Sequence, residues 1–318
     1  MHFPIAGIDL NPLIPILSAF LISCFTSMGG ISGAFLLLPF QVSVLGFSSP
    51  AVSATNLLFN VFAIPGGAAR YIQERRLLWP LTGAVIMGGL PGIFIGMIIR
   101  INLFPDPKIF KFFAGIMLLI LGVKLVKNLL GKKKKENFSV APPDQNHFNK
   151  DSDRNFQKSS ERRRFYPEIR ENRFGFSQCS FKYAEKKYTF HTFKVVFLSF
   201  IIGIAGGIYG IGGGALLAPL VVVVFRLPVH AAAGALLLGT WILSGAGVGF
   251  YNVAASYFPG VLVKPDWMLG LFFGIGGFAG VYCGARFQKY VSPLVIERII
   301  MVCVMFIALR YIIGFFLF

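Results

Sequence analysis

Gly206-Gly-Ile-Tyr-Gly-Ile-Gly-Gly-Gly-Ala-Leu-Leu-Ala-Pro219 lies inside an apolar run, Phe193–Phe225, of more than 30 residues. At 1.5 Å per residue a helix of that length overshoots a hydrocarbon core of ~30 Å. The same conflict arises near the start of the chain. There Pro12–Leu45 also exceeds 30 residues and is interrupted by Ser27-Met-Gly-Gly-Ile-Ser-Gly33. Both runs are predicted to break within the membrane. The other apolar runs are Ala51–Arg70, Trp79–Ile99, Ile109–Leu130, Ala231–Tyr257, Trp267–Phe287 and Leu294–Phe318. Most of them have the ~20 residues a spanning helix requires.

The two broken runs are copies of each other. A slide of 180 residues lays Gly30, Ile31, Gly33, Leu36, Leu37 and Pro39 on Gly210, Ile211, Gly213, Leu216, Leu217 and Pro219, and continues from Ala51 on Ala231 to Tyr71 on Tyr251. A slide of 188 then pairs Trp79 with Trp267, Gly88 with Gly276, Gly92 with Gly280 and Gly96 with Gly284. The expected fold is an all-α polytopic membrane protein of two homologous four-segment repeats, with a broken or re-entrant first segment in each. Its divisions are a first transmembrane repeat, residues 1–130, a basic cytoplasmic loop, 131–192, and a second transmembrane repeat, 193–318. Internal duplication with matching broken helices is the usual construction of secondary transporters, which bind substrate near the midplane.

Composition agrees. The 318 residues are 55% hydrophobic and 14% charged, where soluble domains carry about 25% charged residues. Of the net charge of +17, residues 131–194 contribute +8, with 16 basic and 8 acidic side chains. Beside apolar spans this reads as a cytoplasmic loop, not as a nucleic-acid surface, and no nucleic-acid partner is expected. Its first part is expected to be disordered, and Phe181–Phe190 to form a short hairpin. If each broken segment returns to its own side, the halves are inverted. Arg70, Arg75, Arg76, Arg226, Arg286, Lys289 and Arg298 then lie inside and Arg100, Lys108, Lys111, Lys264 and Arg310 outside, the balance the positive-inside rule favours. No Lys or Arg precedes the first apolar run, so that segment is expected to stay in the protein.

Five acidic residues fall outside the loop, Asp9, Glu74, Asp106, Asp266 and Glu297, all at segment ends or turns. None is placed to bind a cation in mid-span. The four cysteines have no metal or redox spacing, so neither metal nor cofactor is expected. What remains near the midplane is backbone. Where a helix restarts after glycines, its first N–H groups lack partners and carry partial positive charge, and glycine admits a ligand closely. Two such starts facing each other form a site for a small anion. The candidate substrate-binding residues are Gly30, Ser32, Gly33, Gly210, Gly212, Gly213 and Gly214. Asn56 and Asn60, four apart on one helix face, and Thr240, which the slide pairs with Asn60, are added to them. Gly88, Gly92, Gly96 and their copies are expected to serve helix packing.

The duplicated run Gly210-Ile-Gly-Gly-Gly-Ala-Leu-Leu-Ala-Pro219 and Gly30-Ile-Ser-Gly-Ala-Phe-Leu-Leu-Leu-Pro39, with Val52-Ser-Ala-Thr-Asn56, Ala231-Ala-Ala-Gly-Ala235 and Pro265-Asp-Trp267, resembles the TauE/SafE sulfite exporter family. The resemblance covers both halves and omits the central loop. It implies a multi-pass permease of the bacterial inner membrane for small sulfur-containing anions such as sulfite or organosulfonates. The expected partners are the small anion, the lipid bilayer and a second copy of the chain in a homodimer. Carried over by position, its site takes in Gly30, Ser32, Gly33, Gly210, Gly212, Gly213 and Gly214. Ser32 departs from the glycine pattern and makes the two half-sites unequal. Two other readings compete. One is a passive anion channel. The other is an intramembrane serine protease using Ser32 and His230, which the repeat opposes because these residues align with Gly212 and Pro50. No catalytic residue is therefore expected.

Overall fold

The computed structural model describes residues 1–28, 32–73, 77–136, 170–173, 178–183, 186–225, 227–287 and 293–317. The first half contains α1 (Leu13–Met28), α2 (Ala34–Ser43), α3 (Ala51–Ala63), α4 (Pro65–Gln73), α5 (Trp79–Asn102) and α6 (Pro107–Glu136). The second contains α7 (Thr192–Tyr209), α8 (Gly214–Phe225), α9 (Val229–Ala254), α10 (Trp267–Phe287) and α11 (Pro293–Leu317). Among the described residues six helices, α5, α6, α7, α9, α10 and α11, have the length and apolarity to cross a bilayer. A seventh span results if α3 and α4 are counted as one. The protein is an all-α polytopic membrane protein.

Small strands frame the helices. Near the N-terminus β1 (His2–Phe3) pairs with β2 (Ile8–Asp9). In the central loop β3 (Arg170–Arg173), β4 (Gln178–Tyr183) and β5 (Lys186–His191) form an antiparallel sheet in the order β3-β4-β5. The expected hairpin is thus β4–β5, with Phe181 opposite Tyr188, extended by a third strand. Alternation puts Cys179, Phe181 and Phe190 on one face, where they bury against Leu78, Leu81 and Leu227. The stretch expected to be disordered falls mostly on 137–169, outside the described residues. Helix α6 runs to Glu136, six residues past the expected end of the first repeat.

Where α3 meets α4 the axis bends by 42°. The cause is Pro65, which has no N–H for the carbonyl one turn back. On α9 the slide places Gly245 at this position, and that helix continues unbroken to Ala254.

Glycines decide how the helices cross. An added Cβ on Gly88, Gly92 or Gly96 of α5 would strike the carbonyl oxygens of Val196, Phe200 and Ile204 on α7. On α10, Gly276, Gly280 and Gly284 meet those of Ile16, Phe20 and Cys24 on α1 in the same way. Backbone lies on backbone, so small residues let dispersion act where lipid supplies no hydrophobic drive. Every partner in the second set lies at its 180- or 188-residue counterpart in the first. The rising numbers on both members make α5 parallel to α7 and α1 parallel to α10. Contacts of Gly270 with Leu58 and of Gly274 with Phe62 run α3 parallel to α10, and those of Gly239 with Val85 and Gly247 with Ile93 run α9 parallel to α5. Helices α3 and α9 are antiparallel, because Gly247 meets Leu57 while Trp241 Nε1 donates to Val61 O. Contacts of Gly115 with Tyr311 and of Gly122 with Met305 make α6 and α11 antiparallel too.

Gly33 comes to lie beside Ser23 of α1, its Cβ position 2.7 Å from Ser23 Oγ, and Gly213 lies beside Gly203 of α7, 3.8 Å from its Cα. Asp266 holds the start of α10. Its Oδ1 accepts from the Leu269 amide at 3.0 Å as an N-cap, and its Oδ2 accepts from Ala6 N at 3.2 Å.

Candidate functional site

The second break spans Gly210–Gly213, between the end of α7 and the start of α8. Gly210, Gly212 and Gly213 have φ of +80°, +69° and +78°, the left-handed region that a side chain disfavours. Gly210 ends α7 as a left-handed cap whose amide donates to Gly206 O at 2.8 Å.

A helix end leaves carbonyls without donors and a helix start leaves amides without acceptors. Here the two inventories differ. Gly206 O accepts from Gly210 N and Ile211 N, Gly207 O from the Tyr251 hydroxyl at 2.9 Å, and Ile208 O from Ser53 Oγ at 2.8 Å. Gly210 O accepts from Asn56 Nδ2 at 2.9 Å. The amides of Gly212 and Gly213, by contrast, find no acceptor among the described residues. Two donors are thus left over at this break, next to the positive end of the α8 dipole. A Cβ on Gly206 would lie 2.6 Å from Gly213 N, so the glycine there leaves this amide uncovered. Around Gly213 itself only ordinary contacts exist, the nearest 3.7 Å away at Ile202 O.

Asn56 ties the second break to the first. Its Nδ2 also donates to Ala34 O at 3.0 Å, at the start of α2, while its Oδ1 accepts from Gln41 Nε2 at 3.2 Å. Tyr209 makes a second tie. Pro39, inside α2, offers no N–H to Phe35 O, and the Tyr209 hydroxyl supplies the missing donor at 2.9 Å.

Of the ten candidate residues, Gly30 lies outside the described residues. Gly33 is buried at the N-cap of α2 with no side-chain cap. Ser32 is half-buried beside it and accepts from Ala34 N at 3.4 Å. A second group gathers around α8. Added Cβ atoms on Gly212 and Gly214 would strike Ser244 Oγ and Thr240 Oγ1 respectively. Thr240 donates to Leu236 O at 2.7 Å, and Asn60 Nδ2 reaches Ser244 Oγ at 3.4 Å. Among the described residues the buried Asn60 Oδ1, Gln41 Oε1 and Ser23 Oγ find no partner. Ser32 and Gly33 join the second break only through the start of α2, which Asn56 and Tyr209 hold. His230, the second residue of α9, lies ten residues before Thr240, about 15 Å along the helix.

Tyr209 and Tyr251 are not among the candidates, and neither is Arg100, which is fully buried. A hydroxyl in an apolar helix is a weak signal, since interhelical hydrogen bonding without ligand is common. Only the proline at 39, which must orphan a carbonyl, pointed to a need for a donor such as Tyr209.

Comparison with known proteins gives one match. A model of the sulfite exporter TauE/SafE family matches residues 15–311, taking in both breaks and both glycine-lined crossings. No curated protein and no solved structure matches the chain. With nearly its whole length matched, the chain belongs to the sulfite exporter TauE/SafE family, a family of multi-pass membrane transporters.

Proposed function

We propose that the protein is a secondary carrier that exports or exchanges small sulfur-containing anions, sulfite or organosulfonates, across a bacterial inner membrane. It works as two inverted repeats, each opening with a re-entrant helix pair, and the central loop faces the cytoplasm. The antiparallel run of α3 against α9 and of α6 against α11, which the slides pair, supports the inversion. The return of Gly33 to Ser23 and of Gly213 to Gly203 supports the re-entrant pairs.

One observation carries the choice of an anion: at the second break the carbonyls of Gly206, Gly207, Ile208 and Gly210 are occupied by protein donors, while the Gly212 and Gly213 amides have no acceptor among the described residues. Backbone amides suit an oxyanion and bind it without a direct charge pair, weakly enough for release. The substrate is bound where α8 starts, with Asn56 and Tyr209 coupling that start to α2. Alternating access then needs the two re-entrant pairs to move against the crossed helices α1/α10 and α5/α7.

The test is flux into proteoliposomes of sulfite, thiosulfate, organosulfonates and carboxylates. A carrier shows counterflow, in which unlabelled substrate on one side drives labelled substrate uphill from the other. Flux that never saturates and cannot be driven uphill would make the protein a channel. Absence of flux for all four classes would end the anion reading.

A further inference from the structure

Arg100 lies in the last turn of α5 and has no exposed surface. Its Nε donates to Ser53 Oγ at 3.2 Å, one terminal nitrogen to Ser48 O at 3.2 Å and the other to Phe104 O. Its guanidinium carbon sits 3.7 Å from the centre of the Phe110 ring. All of these partners are neutral. The one ion pair among the described residues joins His2 to Asp9. Asp106, in the turn that follows α5, is exposed and its Oδ1 takes the Lys108 amide. Asp266, the buried acid, holds the amides of Leu269 and Ala6.

A cation taken out of water without a counter-charge costs several kcal/mol. The carbonyl end of α5 and the Phe110 ring offset part of that cost. An arginine reaching to the membrane surface would serve both equally well without being buried, so capping the helix does not account for the burial. The position of Arg100 does. Ser53 Oγ, which accepts from Arg100, donates to Ile208 O, and the Ser53 backbone packs directly on Gly210. A single hydroxyl separates the guanidinium from the second break. In a medium of low dielectric its field reaches the unpartnered amides with little screening. The matched position of the second half is Gln288, so the charge has no copy.

We propose that Arg100 is a positioning residue: the fixed positive charge that weights the second break toward anions, and toward dianions over monoanions, without touching them. This rests on the carrier reading given above. Coulomb energy doubles from a charge of −1 to −2, so the fold-loss for a dianion on removing the charge is the square of that for a monoanion. A structural role moves both equally.

The experiment follows counterflow of labelled sulfite in proteoliposomes, competed by thiosulfate as the dianion and methanesulfonate as the monoanion. For Arg100→Gln the half-inhibiting concentration rises about threefold for methanesulfonate and about tenfold for thiosulfate, and Arg100→Lys restores both to within about twofold. Unchanged competition in Arg100→Gln, or equal losses for both anions, overturns the assignment. If Arg100→Gln does not reach the membrane, Arg100→Lys decides alone: retained preference for thiosulfate supports the role of charge, and lost preference overturns it. Wild-type vesicles that exchange neither anion would take down the carrier reading, and this assignment with it.

Discussion

The two breaks stand 180 residues apart in sequence and differ in what surrounds them. The second is capped by α3, through Ser53 and Asn56, where α9 has Ala233 and Leu236 at the matched positions. Tyr209 of the second half serves Phe35 of the first, and its own counterpart is Gly29. The crossings tell the opposite story: Gly88, Gly92 and Gly96 meet α7 as Gly276, Gly280 and Gly284 meet α1. Packing of two backbones requires the same geometry in both copies, whereas a ligand site needs its hydroxyls and amides once. The duplicated scaffold has kept its joints equal and divided its chemistry unequally.

Five substitutions sharpen or break this contrast. The largest effect is expected at the joints. Gly92→Leu and Gly280→Leu should each abolish recovery of monodisperse protein, because the obstacle is a carbonyl of a neighbouring helix and the cost exceeds the ~1–3 kcal/mol of ordinary overpacking. Size-exclusion profiles in detergent read this, and tolerance of one substitution but not the other would show the joints to be unequal. Next is Gly213→Leu, which should reduce counterflow roughly 100-fold while the protein stays folded in the membrane, since a side chain there must strain a positive φ and fill the ground above the free amide. Flux at the wild-type level would refute the site.

Asn56→Leu comes third. It leaves Gly210 O without its donor, at about 1–3 kcal/mol for the buried acceptor, and takes from Ala34 O the donor it has besides its own helix. Thermal unfolding should move down by several degrees and counterflow should fall about tenfold. Unaltered transport in a destabilised protein would reduce Asn56 to a structural tie. The smallest effect is expected for Ser32→Gly, which makes the first break resemble the second: KM should change by about threefold or less. A loss as large as that of Gly213→Leu would move the weight of binding to the first break.

Much of the scaffold was legible in the chain. Run lengths and the two slides located the spans, the breaks and the packing glycines, because hydrophobic length and backbone contact are local properties. The kink at Pro65 was also written there, yet Ala51–Arg70 read as one helix because apolarity carries straight through Ile64 and Pro65. The site was only partly legible. Glycine spacing pointed to Gly212 and Gly213, but which donors cap Gly207, Ile208 and Gly210 depends on α3 and α9 crossing the end of α7. Arg100 entered only as one charge in a topology count. Its burial follows from Ser48, Phe104 and Phe110 closing around it, contacts that no periodicity encodes.

The crossed joints also bear on biogenesis. Leu13–Met28 finds its close backbone partner in Trp267–Phe287, some 250 residues further along. At about 5–20 residues per second on the ribosome, the first helix leaves the translocon roughly 10–50 s before its mate exists. Through that interval lipid, or an insertion chaperone, must cover the face of α1 that the glycine ridge of α10 will later take. Neither repeat can complete its tertiary packing until synthesis is nearly finished.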